Sequence, residues 1–412
     1  MSPTAVVTGL GVAAPTGLGV DAFWRATLDG TTGLGEVSGF DPSRYPVRLA
    51  GQVRDFEPAE HLPGRLLPQT DRVTRLAVAA AGWALADAAV RTEAVPASGM
   101  GVVLSNGQGG SEFTHREFQK LWTQGSRFVS VYESFAWFYA ANTGQVSIRH
   151  GMRGPSGVLV GEQAGGLDAI GQARRNVRGG TPLVVTGGAD SAFDPWGFIA
   201  QYSHGRVSRG RDPRRAYLPF DREADGHVPG EGAAILVVED ADAARDRAAT
   251  VYGEIAGYAA TFDPGPDSSR PPALRRAVER ALADAGVAPG EVDAVFADAA
   301  GRPGPDRIEA QALADVFGPR GVPVTATKAA YGRLGAGGGP LDVVTALLAI
   351  RDGVIPATVN TADVPAEYAL DLVTDDPRPA EVGVALVIAR GYGGFNSAVV
   401  VRRPEVGPPA AP

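Results

Sequence analysis

The chain has 412 residues, of which 44% are hydrophobic and 20% are charged, and its formal net charge at pH 7 is −8. This length allows one large core or two fused domains, and the acidic balance gives no general attraction for nucleic acid or for anionic lipid. There is no cysteine, which excludes disulfides, thiolate metal sites and thiol nucleophiles. Because the chain is acidic, we expect a protein without a nucleic-acid partner.

Neither a metal nor a cofactor is predicted. The five histidines show no metal-ligand spacing, and they are His61, His115, His150, His204 and His227. Residues 1–5 contain no basic stretch followed by an apolar run, so no signal peptide is predicted. No apolar segment approaches the roughly 18 residues that would span a bilayer. We expect a cytoplasmic protein with no membrane partner.

Apolar runs typical of strands alternate with helical stretches along the whole chain, which predicts an α/β fold. A helical stripe covers 72–90. The predicted strands are Ala5–Thr8, Gly101–Leu104, Leu183–Thr186, Ala234–Glu239, Val292–Phe296, Val322–Thr325 and Ala398–Val401. Strands with helices between them occur on both sides of residue 250, which favours two similar halves, 1–250 and 251–412. Residues 402–412 are predicted to form a loose tail.

Two glycine-rich segments match nucleotide-binding patterns only in part. Residues 9–14 fit the pattern G-x-G-x-x-A, but no helix follows directly and no acidic residue closes an obvious second strand. Residues 335–339 lack the Gly-Lys-Ser/Thr ending of a phosphate loop. We interpret the first segment as a tight structural turn and the second as a turn into a helix at 341–351. A nucleotide-dependent oxidoreductase is therefore a distant alternative.

Residues 157–168 predict a strand, a sharp turn and a helix that runs to about residue 178. Such an elbow usually presents a nucleophile, because the helix N-terminus stabilises negative charge there. The residue in that place is Gln163, whose amide is not a nucleophile. From these residues alone, a glutamine that caps a buried helix is the favoured interpretation.

The segment 111–122 predicts a helix that follows the loop 106–110. One face of this helix carries Ser111, Thr114, His115 and Phe118. Periodicity alone favours core packing for this face. Six aromatic side chains then occur within twelve residues, and they are Phe128, Tyr132, Phe135, Trp137, Phe138 and Tyr139. Core and obligate interface both remain open for these rings.

Three motifs carry a resemblance to a known family. The segments 219–221, 226–232 and 391–397 resemble the "PFD", "DGfvxGEG" and "GFGGxN" signatures of β-ketoacyl synthases. The similarity extends in the same order from residue 4 to about residue 402. It implies a thiolase-like fold in which two similar β-α-β halves are stacked in alternating layers.

Active members of that family use a cysteine and two histidines. The resemblance places Gln163 at the cysteine position, Asp298 at the first histidine position and Arg333 at the second. The surrounding pattern is kept at Lys328, Asp306 and Glu309. A glutamine in the elbow is similar to the chain-length factor, the ketosynthase β subunit of type II aromatic polyketide synthases. Whether Gln163 assists decarboxylation or only fills space stays open.

The resemblance implies a non-catalytic subunit that pairs with an active ketosynthase in a heterodimeric acyltransferase complex of antibiotic biosynthesis. An acyl carrier protein would dock mainly on the partner. Ser111, Thr114, His115 and Phe118 would line the tunnel for the poly-β-keto chain, and the aromatic run would lie at the interface. Because Ser111 leaves room, we expect an octaketide to decaketide product, with decaketide favoured.

Two alternatives are a stand-alone acyltransferase with an atypical nucleophile and a non-catalytic homodimer that binds acyl chains. Without a cysteine, and without a histidine beyond residue 227, the first would need a serine or an Asp298-based pair as its nucleophile.

Overall fold

The computed structural model describes residues 3–265 and 267–404. The strands are β1 (Ala5–Ala14), β2 (Gly17–Leu18), β3 (Leu34–Glu36), β4 (Leu49–Gly51), β5 (Met100–Ser105), β6 (Ser156–Leu159), β7 (Leu183–Asp190), β8 (Gly232–Asp240), β9 (Gly253–Phe262), β10 (Ala294–Phe296), β11 (Pro323–Thr325), β12 (Val354–Ile355), β13 (Asp371–Leu372), β14 (Arg378–Pro379), β15 (Val384–Arg390) and β16 (Phe395–Arg402). The helices are α1 (Val20–Leu28), α2 (Pro58–His61), α3 (Arg72–Asp87), α4 (Ser111–Gln124), α5 (Glu133–Ala136), α6 (Ala141–His150), α7 (Gly165–Arg178), α8 (Pro195–Ser203), α9 (Ala241–Asp246), α10 (Leu274–Ala285), α11 (Pro303–Phe317) and α12 (Gly338–Asp352).

One large mixed sheet runs through the chain in the order β13-β11-β10-β15-β16-β9-β1-β8-β7-β5-β6, with β2 paired to β1. In the N-terminal part, β6, β5 and β7 are parallel, and β8 and β1 continue antiparallel. In the C-terminal part, β11, β10 and β15 are parallel, and β16 and β9 continue antiparallel. The two parts therefore have the same topology, and they meet where β1 pairs with β9. The predicted α/β fold with two similar halves is confirmed.

Helices cover the two parts of the sheet in layers. Helix α3 packs on β1 and β8, and α10 packs in the same way on β9 and β16. Helices α7 and α12 contact each other and lie between the two parts, since α12 contacts both β8 and β15. Every residue of α12 from Gly338 to Ile350 is buried, as expected for a helix that is mostly apolar on all faces.

The glycine-rich segment after the first predicted strand is not the turn that the sequence suggested. Residues 9–14 are part of β1, and the turn comes one residue later, before β2. A β-carbon on Gly11 would overlap the carbonyl oxygen of Ala80 in α3. The glycines are therefore explained by the close approach of α3 to the strand, which tertiary packing requires and a local pattern does not reveal.

The other predicted elements are confirmed with small shifts of their ends. The second glycine-rich segment forms a turn with Gly335 at a φ of +53°, and α12 follows at once. Residue 250 lies between α9 and β9, and the division of the chain into domains there stays a prediction. Of the predicted tail, Arg402 ends β16, while 405–412 lie outside the described residues. Within residues 3–265 and 267–404, no helix is both long and apolar enough to cross a membrane.

Candidate functional site

A cavity of about 850 Å³ opens where parallel strands of both halves end. Its wall includes Gly107 after β5, Glu162 after β6, Ala192 after β7, Asp298 after β10 and Arg390 at the end of β15. Crevices at the carboxyl ends of parallel strands are the usual ligand sites of α/β folds. This cavity is therefore the candidate site.

The predicted elbow is present between β6 and α7. A 3-10 turn covers Glu162–Ala164, and α7 begins at Gly165. Glu162 adopts a φ of +52°, in the left-handed region that is uncommon for residues other than glycine. Its carboxylate accepts a hydrogen bond from the backbone N–H of Tyr392 at 2.7 Å, so a long-range contact holds the turn in this conformation.

Gln163 lies behind the elbow and is 1% exposed. Its amide packs against Gly338 at the start of α12, where a β-carbon would overlap it. Neither amide atom has a hydrogen-bond partner among the described residues, and the predicted capping contact is not formed there. Gln163 is not among the described residues that line the cavity, and its role stays a prediction.

Asp298 and Arg333 form a buried ion pair. The guanidinium Nη2 donates to Asp298 Oδ1 at 2.9 Å, and Nη1 donates to Oδ2 at 3.1 Å. Nη2 also donates to the carbonyl oxygen of Arg390 at 3.0 Å, and the backbone N–H of Arg390 donates to Asp298 Oδ1 at 2.8 Å. Such a bidentate pair is the strong form of a charge-assisted hydrogen bond. It joins the end of β10 to the end of β15.

The charges around this pair fix its protonation state. Burial alone would raise the pKa of Asp298, but Arg333 and Lys328 hold it below its ordinary value. Burial alone would lower the pKa of Arg333, but the Asp298 carboxylate raises it well above its usual range. Burial and the charge of Arg333 keep the pKa of His227 on the cavity wall well below its usual value. Asp298 and Arg333 are thus charged and paired at neutral pH, and neither is a free acid or base.

Two of the three residues kept from the resembling pattern, Lys328 and Glu309, support this pair from behind. Lys328 Nζ lies 2.8 Å from Asp342 Oδ2 and also donates to the carbonyl oxygen of Ala297. Glu309 accepts the backbone N–H groups of Asp298 at 2.7 Å and of Ala299 at 2.9 Å. Together these bonds fix the backbone that carries the Asp298 carboxylate.

Asp306 acts on a neighbouring segment. It accepts the backbone N–H of Phe220 at 3.0 Å. Burial, followed by the charge of Glu309, raises the pKa of Asp306 to about 7. This contact anchors the loop that contains 219–221, one of the three resembling motifs.

Helix α4 presents three of the four predicted tunnel residues to the cavity. Ser111, Thr114 and Phe118 line its wall. The ring of Phe118 is 6.1 Å, between centroids, from Trp196 of α8. Trp196 and its neighbour Gly197 also line the cavity. This part of the cavity is therefore the groove between α4 and α8. The role of these residues as the lining of a tunnel stays a prediction.

His115 is placed differently from the other three. Its Nδ1 lies 2.8 Å from Asp194 Oδ2, and it lines a second cavity of about 670 Å³ instead of the first. Asp194 also accepts a hydrogen bond from Ser111 Oγ at 3.1 Å and one from the backbone N–H of Trp196 at 3.0 Å. The carboxylate thus caps α8 and ties it to α4, and His115 serves this junction.

The aromatic run is divided between the cavity and the surface. Trp137 and Tyr139 line the cavity, and Phe128, Trp137 and Phe138 are each 46% exposed. Tyr132 and Phe135 are half-buried and lie 5.8 Å apart between ring centroids. Core packing therefore does not describe the exposed rings. Exposed large apolar side chains of this kind indicate a surface for a partner.

Sequence reasoning missed two parts of the cavity wall. The first is α8, although Asp194 followed by Pro195 is a recognisable helix start. The second lies near the elbow, where the Arg206 guanidinium is 3.9 Å from the centre of the Tyr392 ring. No local pattern announces that contact, because the two residues are far apart in the chain.

Comparison with known proteins agrees with this geometry. The N-terminal domain family of β-ketoacyl synthases matches residues 3–244, and the corresponding C-terminal domain family matches residues 252–362. The chain is 60% identical over 399 residues to the actinorhodin polyketide β-ketoacyl synthase 2 of Streptomyces coelicolor, covering 97% of this chain and 98% of that protein.

A second relative is the tetracenomycin polyketide synthase ketoacyl synthase beta subunit of Streptomyces glaucescens. It is 58% identical over 400 residues, covering 97% of this chain and 98% of the relative. The solved structure titled the ishigamide ketosynthase/chain length factor has the same fold, with a TM-score of 0.90, 24% identity and coverage of 98% of this chain and 100% of that one. The chain belongs to the β-ketoacyl synthase family.

Proposed function

We propose that this chain is the non-catalytic, chain-length-determining subunit of a type II polyketide synthase, and that it works beside an active ketosynthase. The observation that carries the proposal is the closed Asp298–Arg333 ion pair inside an intact cavity. In a chain without cysteine, this pair occupies the positions where the resemblance expects two catalytic imidazoles. A scaffold of this kind can shape a substrate chain but has no thiolate to carry it.

The names of the relatives favour the same assignment. The tetracenomycin protein is named as a ketoacyl synthase beta subunit, and the ishigamide structure is titled as a ketosynthase with a chain length factor. The proposed partner is accordingly the active ketosynthase subunit of the same pathway. An acyl carrier protein would bring the malonyl and polyketide chains, docking mainly on that partner. The cytoplasmic location stays a prediction.

The exposed apolar residues near the cavity support a partner that covers them. Val131 is 78% exposed and Phe128 is 46% exposed, and both are close in sequence to Trp137 and Tyr139 of the cavity wall. A subunit bound over this segment would therefore also border the cavity. The growing chain could then pass from the partner's cysteine towards α4.

The decisive experiment compares the purified chain with the chain co-expressed with its ketosynthase. With carrier protein and malonyl donor, the pair should make a polyketide, and the chain alone should neither condense malonyl units nor take up an acyl group. Intact-protein mass spectrometry would detect any acylation. Covalent acylation of the isolated chain would favour the stand-alone acyltransferase. A stable homodimer that copurifies with acyl chains and ignores the ketosynthase would favour the binding protein.

A further inference from the structure

The second cavity, of about 670 Å³, shares no described lining residue with the candidate site. It lies between the segments 38–40 and 52–54, α4 and residues 193–195 at the start of α8. Its wall carries three arginines, a histidine and two carboxylates, which are Arg54, Arg72, Arg116, His115, Glu112 and Asp194. The donors and acceptors that the chain itself leaves unused on this wall determine which ligand the cavity can hold.

The Asp194 carboxylate is already used within the chain. It accepts the hydroxyl of Ser111 at 3.1 Å, the backbone N–H of Trp196 at 3.0 Å and the backbone N–H of Gly197 at 3.3 Å. His115 Nδ1 lies 2.8 Å from its Oδ2. With these four neighbours the carboxylate is satisfied, and it does not call for a cation in the cavity.

The other carboxylate of the wall, Glu112, lies near arginines of α3. Burial lowers the pKa of Arg72, but the hydrogen bond and charge of Glu231, followed by the charge of Glu112, raise it above its ordinary value. Burial also lowers the pKa of Arg75, and the charge of Glu112 is among those that oppose this effect. Arg72 bonds to Glu231 through Nε and Nη2, both at 2.8 Å. The negative charges here are therefore matched by α3.

The guanidinium groups of Arg54 and Arg116 keep most of their donors free. Arg54 Nη2 donates to the carbonyl oxygen of Glu36 at 2.9 Å. Arg116 Nε lies 3.6 Å from Glu117 Oε1, an oxygen that Lys120 Nζ already contacts at 2.7 Å. Because a guanidinium donates from Nε and from both terminal nitrogens, each arginine retains N–H groups that bond to nothing within the described chain. The unused capacity of the wall is thus cationic.

We propose that the second cavity is a binding site for a small organic anion whose carboxylate or phosphate group is held by Arg54 and Arg116. Planar guanidinium groups bind both kinds of anion through paired N–H donors. The apolar part of the ligand packs against the rings of Phe40 and Phe193, which line the same cavity. This inference does not depend on the proposed function, since the two cavities have no described lining residue in common.

Isothermal titration calorimetry of the full-length chain with phenyl phosphate, benzoate and inorganic phosphate tests the site. A probe that carries a ring should bind saturably, and inorganic phosphate should bind more weakly because it has no ring to pack. Comparison of phenyl phosphate with benzoate identifies the preferred anionic group. Arg54→Ala and Arg116→Ala should each lower the affinity about tenfold or more, the effect of losing a hydrogen bond between charged groups. Both side chains are exposed, so both variants should fold normally, as circular dichroism would show.

Two further variants locate the bound anion. Arg245→Ala removes an exposed arginine of α9 and is the matched control, which should leave the affinity unchanged. Arg206→Ala removes an arginine that lines the large cavity and should also change nothing. If Arg206→Ala lowers the affinity while Arg54→Ala and Arg116→Ala do not, the anion binds in the large cavity and the proposal is overturned. An equal loss in Arg245→Ala, or the absence of saturable binding by all the probes, overturns it as well.

Discussion

The Asp298–Arg333 pair shows how single residues change the use of a scaffold. Replacing a buried ion pair by apolar residues is often neutral, but removing one partner leaves an uncompensated charge and costs about 3–5 kcal/mol. The side chains of Asp298 and Arg333 bond to each other and also to the backbone of Arg390. The effect of the pair is therefore to hold the ends of β10 and β15 together.

We predict that Arg333→Ala destabilises the chain by about 3–5 kcal/mol, because it leaves the Asp298 carboxylate buried and unpaired. Among heterodimers that still assemble, polyketide synthesis should fall far less than when the cysteine of the partner subunit is removed. Denaturant unfolding and single-turnover product yield would measure the two effects. Loss of all turnover in an assembled Arg333→Ala or Asp298→Ala heterodimer would mean that these positions take part in the reaction.

The same variant has a predicted pH dependence. In the wild-type chain the folded-state pKa of Asp298 lies below its ordinary value of 3.8, so the stabilising contribution is fully present above 3.8 and is lost as the pH falls through the folded-state pKa. Without Arg333, burial should raise this pKa, so stability should fall as the pH rises from 3.8 through the raised pKa. The difference in unfolding free energy between wild type and Arg333→Ala should therefore grow as the pH rises above 3.8 and become constant once the carboxyl group is ionised in the folded variant. A constant difference would contradict this account.

At the level of elements, the two halves use the same strand-to-helix contact. Gly11 of β1 lies under Ala80 of α3, and Gly257 of β9 lies under Ala281 of α10. In both places a β-carbon would overlap a helix carbonyl oxygen. The close approach lets alanine-rich helix faces bury against the strands at near-crystalline density.

We predict that Gly11→Ala lowers stability by about 1–3 kcal/mol or more, since the packed backbone of α3 must move away from β1. Gly82→Ala is the matched control, because Gly82 is in α3, the helix that packs on Gly11, and has open space at its β-carbon. That substitution should stabilise by about 0.4–1 kcal/mol through helix propensity. Thermal unfolding of Gly11→Ala and Gly82→Ala would test both expectations, and equal unfolding midpoints would contradict the packing explanation.

Helix α4 carries the prediction for product length. Overlap with a packed wall costs about 1–3 kcal/mol, so a chain should stop growing where the cavity ends. We expect an octaketide to decaketide, with decaketide favoured because Ser111 leaves room. Ser111→Phe should shorten the product and Phe118→Ala should lengthen it, as mass spectrometry of the products would show. If both variants assemble and give the parental length, this face of α4 does not border the chain.

At the level of the whole molecule, the described chain leaves an apolar surface uncovered beside the candidate cavity. Phe128 and Val131 are exposed on the same segment that places Trp137 at the cavity wall. Obligate interfaces bury apolar centres of this kind over more than about 2,000 Å². A partner that covers the segment would therefore complete the cavity as well as the assembly.

We predict a stable heterodimer with the ketosynthase and a specific loss of assembly in Val131→Asp. The side chain is 78% exposed, so the variant should fold normally, while a buried charge at the interface should weaken binding at least tenfold. Phe262→Ser is the control, since Phe262 is 56% exposed on β9 in the other half. Sedimentation velocity with the ketosynthase would separate the outcomes. A wild-type chain that stays monomeric beside its ketosynthase would refute the prediction.

The sequence by itself determined the α/β class, most strands and the elbow at Gln163, because apolar periodicity and glycine positions are local signals. It also located Asp298 and Arg333 through motif order, but it gave no sign that they pair with each other. Tertiary structure alone decided that Gly11 belongs to a strand under α3 and that His115 turns to Asp194 instead of the large cavity. These features depend on contacts between segments distant in the chain, and helical or strand spacing carries no information about which surface a side chain meets.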